Sequence, residues 1–248
     1  MSIASELSRL QQAKSDLATS IANKGVTVPA ATTIDGYAAL VDQIQTGGGT
    51  LPYDAEVEYL ESNGTQYIDT LYKPNGQTRI KAKGRYTHPT MTSSDSMHYL
   101  FGVRDGSTFY DMLWNYYRVS SKNYFPTYLH YGTDTAEWNN DDRNKDVEVD
   151  LSYEGGYYNG EKKLTVTGTA NQSNYSLYLF WCNVDGVGQS NRPPYGRIYY
   201  FKIYESGVLL HSFIPVRIGN VGYLYDNVSG KFIGNAGSGN FILGADIT

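Results

Sequence analysis

Apolar residues follow two different periods along this chain, and the period changes near residue 50. Ile3, Leu7, Leu10, Leu17 and Ile21 recur in alternating steps of four and three, with Lys14 breaking one position of the series. That spacing predicts an amphipathic helix with a short heptad stripe. Gly25 ends the helix, and Val26 to Pro29 reads as extended. A second, smaller helix is predicted over Ile34 to Ile44, capped by Thr33 or Asp35, with Ile34, Tyr37, Leu40, Val41 and Ile44 as its apolar side. Gly47, Gly48 and Gly49 follow as a flexible joint. A heptad stripe this short is marginal alone in water. One use for it is a helical hairpin folded on its own β domain. The glycine joint favours the other, a stalk that oligomerises or docks through Ile3, Leu7, Leu10, Leu17 and Ile21.

From Leu51 the period is two. Ala55 to Leu60 and Gln66 to Thr70 read as strands around the turn Ser62-Asn63-Gly64. Further strands are predicted at Gln77 to Tyr86, Tyr99 to Val103, Met112 to Tyr117, Thr127 to Tyr131, Asp146 to Tyr153, Lys162 to Thr167 and Ser176 to Cys182. Asp105-Gly106, Asn139-Asn140-Asp141-Asp142, Gly155-Gly156, Asn159-Gly160 and Arg192-Pro193-Pro194 separate them as turns. Arg197 to Pro215 reads as a hairpin about Ser206-Gly207. Tyr199, Phe201 and Ile203 lie on one face of its first strand, and Ile198, Tyr200, Lys202 and Tyr204 on the other. In the second strand Val208, Leu210 and Ile214 alternate with Leu209, His211 and Phe213. About a dozen short strands at this spacing make a β-sandwich.

Composition agrees with a turn-rich β protein. Only 18% of residues are charged, against 24 Tyr and 26 Gly. A formal net charge of −5 offers nucleic acid or an anionic membrane no attraction. No run approaches the ~20 apolar residues of a membrane span, and the N-terminus has no apolar signal segment. The chain is therefore expected to be made in a cytoplasm, without membrane insertion. Cys182 stands alone, so no internal disulfide forms, and its apolar run marks it as a buried structural thiol.

Two stretches resemble known families. LSRLQQAKSDLATSIANKGVTVPAATTIDGYAALVDQI, Leu7 to Ile44, is similar to a short structural module of tail and baseplate proteins from bacteriophages of Gram-positive hosts; its KGVTVP step and later Tyr37 carry the likeness. EVEYLESNGTQYIDT, Glu56 to Thr70, resembles the opening of a family of concanavalin-A-like (laminin-G-like) domains. That family's closing runs have counterparts at Phe201 to Tyr204, Phe213 to Pro215, Gly222 to Asp226 with Tyr223 inserted, Gly230 to Phe232 and Asn235 to Phe241. The resemblance implies a mainly β fold, a two-sheet concanavalin-A-like jelly-roll sandwich behind an N-terminal α-helical stalk. The domains would be 1–46 for attachment and oligomerisation, 47–52 as a Gly-rich linker and 53–248 as the sandwich. It also implies a virion tail protein, homo-oligomeric and expected to be a trimer. Its partners would be other tail or baseplate proteins and a host cell-wall or surface polysaccharide.

Chemistry could sit in three places. Asp146, Glu148 and Asp150 of DVEVDL share one strand face, as the alternating acidic strand of glycoside hydrolases with this fold does. The two terminal positions here are the shorter Asp, and an outward polar face explains the pattern equally well. Asp105, Asp134, Asp141 and Asp142 are available to a calcium ion, without a ligand spacing that assigns a site; otherwise no cofactor or metal is expected. His88, His98, His130 and His211 are dispersed, and no Ser occupies a nucleophile elbow. The densest signal is aromatic, from Phe109 to Trp138, interleaved with Asn. Aromatic faces stack on sugar rings while amides bond their hydroxyls. Trp114, Asn115, Tyr116, Tyr117, Tyr128, Trp138 and Asn139 are therefore the expected glycan-binding residues, used without cleavage. The alternatives are a depolymerase built on the acidic strand, and a structural baseplate or decoration protein.

Overall fold

A computed structural model describes residues 3–22, 26–43, 51–87, 96–106, 108–117, 126–168, 172–188 and 195–247, with backbone alone at 96, 109, 111, 112 and 114–117. The chain separates into two compact units, Met1–Pro52 and Tyr53–Thr248. The joint glycines Gly47 to Gly49, together with Gly25, Ile44 and His88, lie outside the described residues.

In the first unit α1 spans Ile3–Ala22. A 3-10 turn over Ile34–Gly36 leads into the short helix α2, Tyr37–Val41. A small core of Ile21, Val26, Tyr37 and Leu40, flanked by Ala18 and Val28, ties the end of α1 to α2. The Tyr37 hydroxyl donates to the Lys14 carbonyl at 3.4 Å. Two expectations change here. Ile21 is 2% exposed, in this unit's own core and not on an open stripe, and Ile34 and Val41 face solvent. Ile3, Leu7, Leu10 and Leu17 remain exposed, Ile3 by 90%.

The second unit is mainly β. Its strands begin with β1 (Ala55–Glu56), β2 (Leu60–Asn63), β3 (Ile68–Asp69), β4 (Thr78–Tyr86) and β5 (Ser96–Asp105). Then come β6 (Thr108–Tyr117), β7 (Pro126–Tyr131), β8 (Asp134–Asn139), β9 (Asp146–Ser152), β10 (Gly155–Tyr158) and β11 (Glu161–Leu164). Short β12 (Tyr178–Leu179), β13 (Asn183–Val184) and β14 (Val187–Gly188) precede the long hairpin of β15 (Tyr195–Glu205) and β16 (Val208–Ile218). β17 (Val221–Asp226), β18 (Lys231–Ile233) and β19 (Ile242–Leu243) close the chain.

Among the described residues these form two sheets. The larger runs β11-β10-β9-β4-β15-β16-β17-β18, with β1 on β16, β2 on β15 and β19 on β2. The smaller runs β14-β13-β5-β6-β7-β8, with β12 on β5 and β3 on β12. Pairing is antiparallel except between β13 and β5. One core joins the sheets, with Phe101 of the smaller meeting Phe201 of the larger edge to face at 5.3 Å. Alternation builds it: β4 reads buried, half-buried without a break from Thr78 to Tyr86.

Local exceptions to that alternation move several expected elements. The β15 register shifts between Ile198 and Tyr200, so Ile198 and Phe201 are both buried and Tyr199 faces outward. A second shift between Ile203 and Tyr204 interrupts the pairing with β16. The strand expected at Ser176 to Cys182 shrinks to two residues, because Phe180 takes a φ of +68°. Gly155-Gly156, expected as a turn, opens β10 instead. A Cβ on Gly156 would meet Leu129 of β7 at 2.5 Å and Leu164 of β11 at 2.9 Å. Glycine there lets the end of the larger sheet close onto the smaller, and β11 lies against β8.

Candidate functional site

The acidic strand β9 faces a basic one. Register sets Lys81 opposite Asp150, Lys83 opposite Glu148 and Arg85 opposite Asp146. Arg79 Nε and Nη2 donate to both Asp150 oxygens at 2.7 Å, and Lys81 Nζ stands 3.4 Å from Oδ2. Arg85 Nε donates to Asp146 Oδ1 at 2.6 Å, the Tyr199 hydroxyl donates to the same oxygen at 2.9 Å, and Lys83 lies 3.5 Å from Oδ2. Partial burial pushes both Asp carboxyls up, but these partners outweigh it and hold them below the usual carboxylate range. Both are therefore anions at neutral pH, and neither is poised to protonate a leaving oxygen. Glu148 is exposed. With Asp150, Arg79, Lys81, Tyr157 and Tyr200 it lines an outer-face cavity of about 440 Å³. The four basic residues recur every second position in TRIKAKGRY, a signal the sequence carried in plain view.

The predicted aromatic set divides. Trp114 sits in register between Tyr99 of β5 and Tyr128 of β7, Tyr116 opposite Met97, and Asn139 opposite Pro126. Tyr128 is half-buried beside Tyr99, Met97, Val184 and buried Cys182. It stacks on His130, which burial pushes down to about 4. Asn115 and Trp138 belong to the opposite register face, where Asn115 pairs with Thr127 and Thr127 with Trp138; Tyr117 stands opposite Ser96. The side chains of Trp114, Asn115, Tyr116 and Tyr117 lie outside the described residues.

Trp138 and Asn139 instead join residues from the far end of the larger sheet. Trp138 packs on the core, and its ring meets Tyr158 of β10 edge to face at 4.9 Å. Lys163 Nζ of β11 lies over the indole, 5.7 Å from its centroid, and pairs with Glu161 at 2.7 Å. Trp138, Asn139, Asn140, Tyr158, Asn159, Glu161 and Lys163 line a cleft of about 260 Å³ between the sheets' outer strands. Behind it Asp142 is only 2% exposed. Its carboxylate accepts from the Tyr158 hydroxyl and from Asn140 Nδ2, each at 2.7 Å. Burial pushes Asp142 up, partly opposed by the Tyr158 hydrogen bond, and burial likewise raises the Tyr158 phenol. The Trp138 indole nitrogen and the Tyr86 hydroxyl are buried without a hydrogen-bond partner among the described residues.

No protein-family model and no curated protein matches the chain. Among solved structures it is similar to a crystal structure of scytalido-glutamic peptidase with a transition state analog inhibitor. The identity is 7% and the TM-score 0.33, over 75% of this chain and 100% of that one, too loose a likeness to bear on fold or chemistry.

The carboxylates considered for calcium are dispersed and already engaged. Asp105 accepts from the Asn174 backbone and side chain at 3.2 and 2.7 Å. Asp134 accepts from the Thr167 and Gly168 amides, both at 2.8 Å, which hold it below the usual range. Asp141 forms a two-point pair with Arg143 at 2.8 and 2.7 Å. Among the described residues no group of three or more His, Cys, Asp or Glu could hold a metal ion. The sequence reading missed Asp142, Tyr158, Asn159, Glu161 and Lys163 as neighbours of Trp138. Two of its turns, Asn139 to Asp142 and Asn159-Gly160, meet in space, and only the pairing of strands brings them together.

Proposed function

We propose that the chain is a receptor-binding protein of a phage tail. Its β unit, a concanavalin-A-like jelly-roll sandwich, binds a host-surface saccharide in the Trp138 cleft without cleaving it. The observation that carries this reading is the side-chain set of the cleft: an indole, a phenol and three amides between two edge strands. Apolar ring faces and planar amides are the complement of a sugar's C–H face and hydroxyls. The family resemblance of the chain's opening and closing runs points the same way. Asp146 and Asp150, bound to arginine, are poor general acids, which weighs against the depolymerase alternative.

The first unit attaches to the virion and gathers copies, three by expectation. Ile3, Leu7, Leu10 and Leu17 stand exposed at heptad spacing, which supports this. Linking copies turns weak single sites into firm attachment.

A panel of Gram-positive cell-wall polysaccharides and whole cells tests the binding. The full chain is expected to bind, and Trp138→Ala to lose binding while its circular dichroism and melting show a folded β unit. Silence of the intact protein on every glycan and cell, with binding to tail proteins, would favour a purely structural baseplate part. Light scattering tests the stalk: the full chain is expected to be oligomeric and Leu10→Glu monomeric. A monomeric wild-type chain removes the stalk.

A further inference from the structure

We infer that the Trp138 cleft selects an uncharged sugar, one ring at a time, and rejects phosphate- or uronate-bearing units. This rests on the saccharide reading above and narrows it.

Charge bookkeeping around the cleft carries the selection. Lys163 is balanced by Glu161 at 2.7 Å. Arg143 is balanced by Asp141 at 2.7 Å, and Lys145 Nζ donates to the Asp141 carbonyl at 2.7 Å. Each of these cations already has an acidic or carbonyl partner. Asp142, directly behind the lining residues, accepts from two neutral donors, the Tyr158 hydroxyl and the Asn140 amide, and its charge is also felt by Lys145 and Lys163. An incoming anion would have to pull Lys163 away from Glu161 and face the Asp142 charge across one side-chain layer. Like charges in a partly desolvated site repel strongly. The amides lining the cleft, Asn139, Asn140 and Asn159, are neutral groups that carry both donor and acceptor atoms, with Asn140 donating to Asp142 and Asn159 accepting from the Glu148 amide. They suit hydroxyl and acetamido groups.

Size suits a single ring within the cleft. About 260 Å³ falls below the roughly 300–1,000 Å³ of clefts that hold drug-sized ligands. The lysine sets the geometry. Its ammonium lies over the indole while paired with Glu161, so a ring that stacks there must move Lys163 off the indole face.

The opposing roles of Lys163 give the test. The full-length protein is titrated with methyl glycosides of glucose, galactose and N-acetylglucosamine, and with glucuronate and glucose 6-phosphate, at low and high salt. Ligand-observed NMR reads the binding. At least one neutral glycoside is expected to bind with an affinity that salt leaves within about twofold, since no counter-ion is displaced. Lys163→Ala is expected to bind it as well as wild type or several-fold tighter, and Trp138→Ala to lose it. Tenfold weaker binding in Lys163→Ala, or binding confined to the charged sugars or to polymers, overturns the inference but leaves a saccharide site standing. No binding to any sugar, single or polymeric, sinks both.

Discussion

The β9 ladder and the Trp138 cleft each contain aspartates, and the two sites treat them in opposite ways. Asp146 and Asp150 lie on an outer sheet face, each clamped by an arginine, and are held below the ordinary carboxylate range. Asp142 is shut in behind the cleft, hydrogen-bonded to two neutral donors, and burial pushes its carboxyl up. Three acids in alternation look like machinery, while a single Asp in a turn looks like punctuation. Surroundings reverse that ranking. The ladder's two aspartates are each paired with an arginine; the lone aspartate fixes two side chains that line the cleft.

The sharpest way to break this contrast is Asp142→Leu. It leaves the Tyr158 hydroxyl and the Asn140 amide without their acceptor inside the protein, at a cost of about 1–3 kcal/mol. Urea denaturation should show the loss, with saccharide binding falling alongside it. An unchanged midpoint and unchanged binding would mean Asp142 orders nothing.

A smaller and more diagnostic effect is the sign of the pH dependence. Asp150 has a depressed carboxyl, so it stabilises the fold above the unfolded-state pKa and loses that contribution as pH falls through its folded-state value. Asp150→Asn should be less stable than wild type at neutral pH, by a few tenths to about 1 kcal/mol, with the gap closing in acid. Asp142 has a raised carboxyl, so the folded state keeps its proton longer and stability falls as pH rises through the raised value. Asp142→Asn keeps the shape and removes the charge, so it should be more stable than wild type at neutral pH, again converging in acid. Thermal melts across that range check both, and gaps of the same sign would erase the distinction.

Glu148→Gln should do least. The side chain is exposed and faces Lys83 across the ladder, so stability should move by less than about 0.5 kcal/mol. Binding should not move at all. Release of reducing ends from a host polymer, abolished by this one change, would restore the enzymatic reading of β9.

Much of the fold was legible because it follows strict alternation. The strands around Thr78–Tyr86, Pro126–Tyr131 and Asp146–Ser152 fall within a residue or so of where period two places them, and the Ser206-Gly207 hairpin closes as its residues suggest. What was not legible depends on single backbone departures. The shift after Ile198 reverses the facing of Tyr199, and the positive φ of Phe180 cuts a strand short. β8 escaped notice because Asp134, Thr135 and Glu137 read as loop chemistry, although exposed Thr135 and Glu137 alternate with half-buried Ala136 and Trp138. The cleft was half legible. Trp138 and Asn139 stand out as an aromatic next to an amide, but their partners lie some twenty residues on, across a sheet boundary that no local pattern marks. In the first unit the heptad spacing marks exposed helix positions as far as Leu17 and then over-reaches. Ile21 continues the series in sequence but turns inward on Tyr37 and Leu40, because a short second helix offers it cover.

The glycine at position 156 has a mechanical corollary. By letting the two layers touch at their margins, it places any guest of the Trp138 gap on both at once. Tension transmitted through such a guest loads the layers side by side and does not peel one strand from a free border. A grip so placed resists tearing better than one seated on either flat surface.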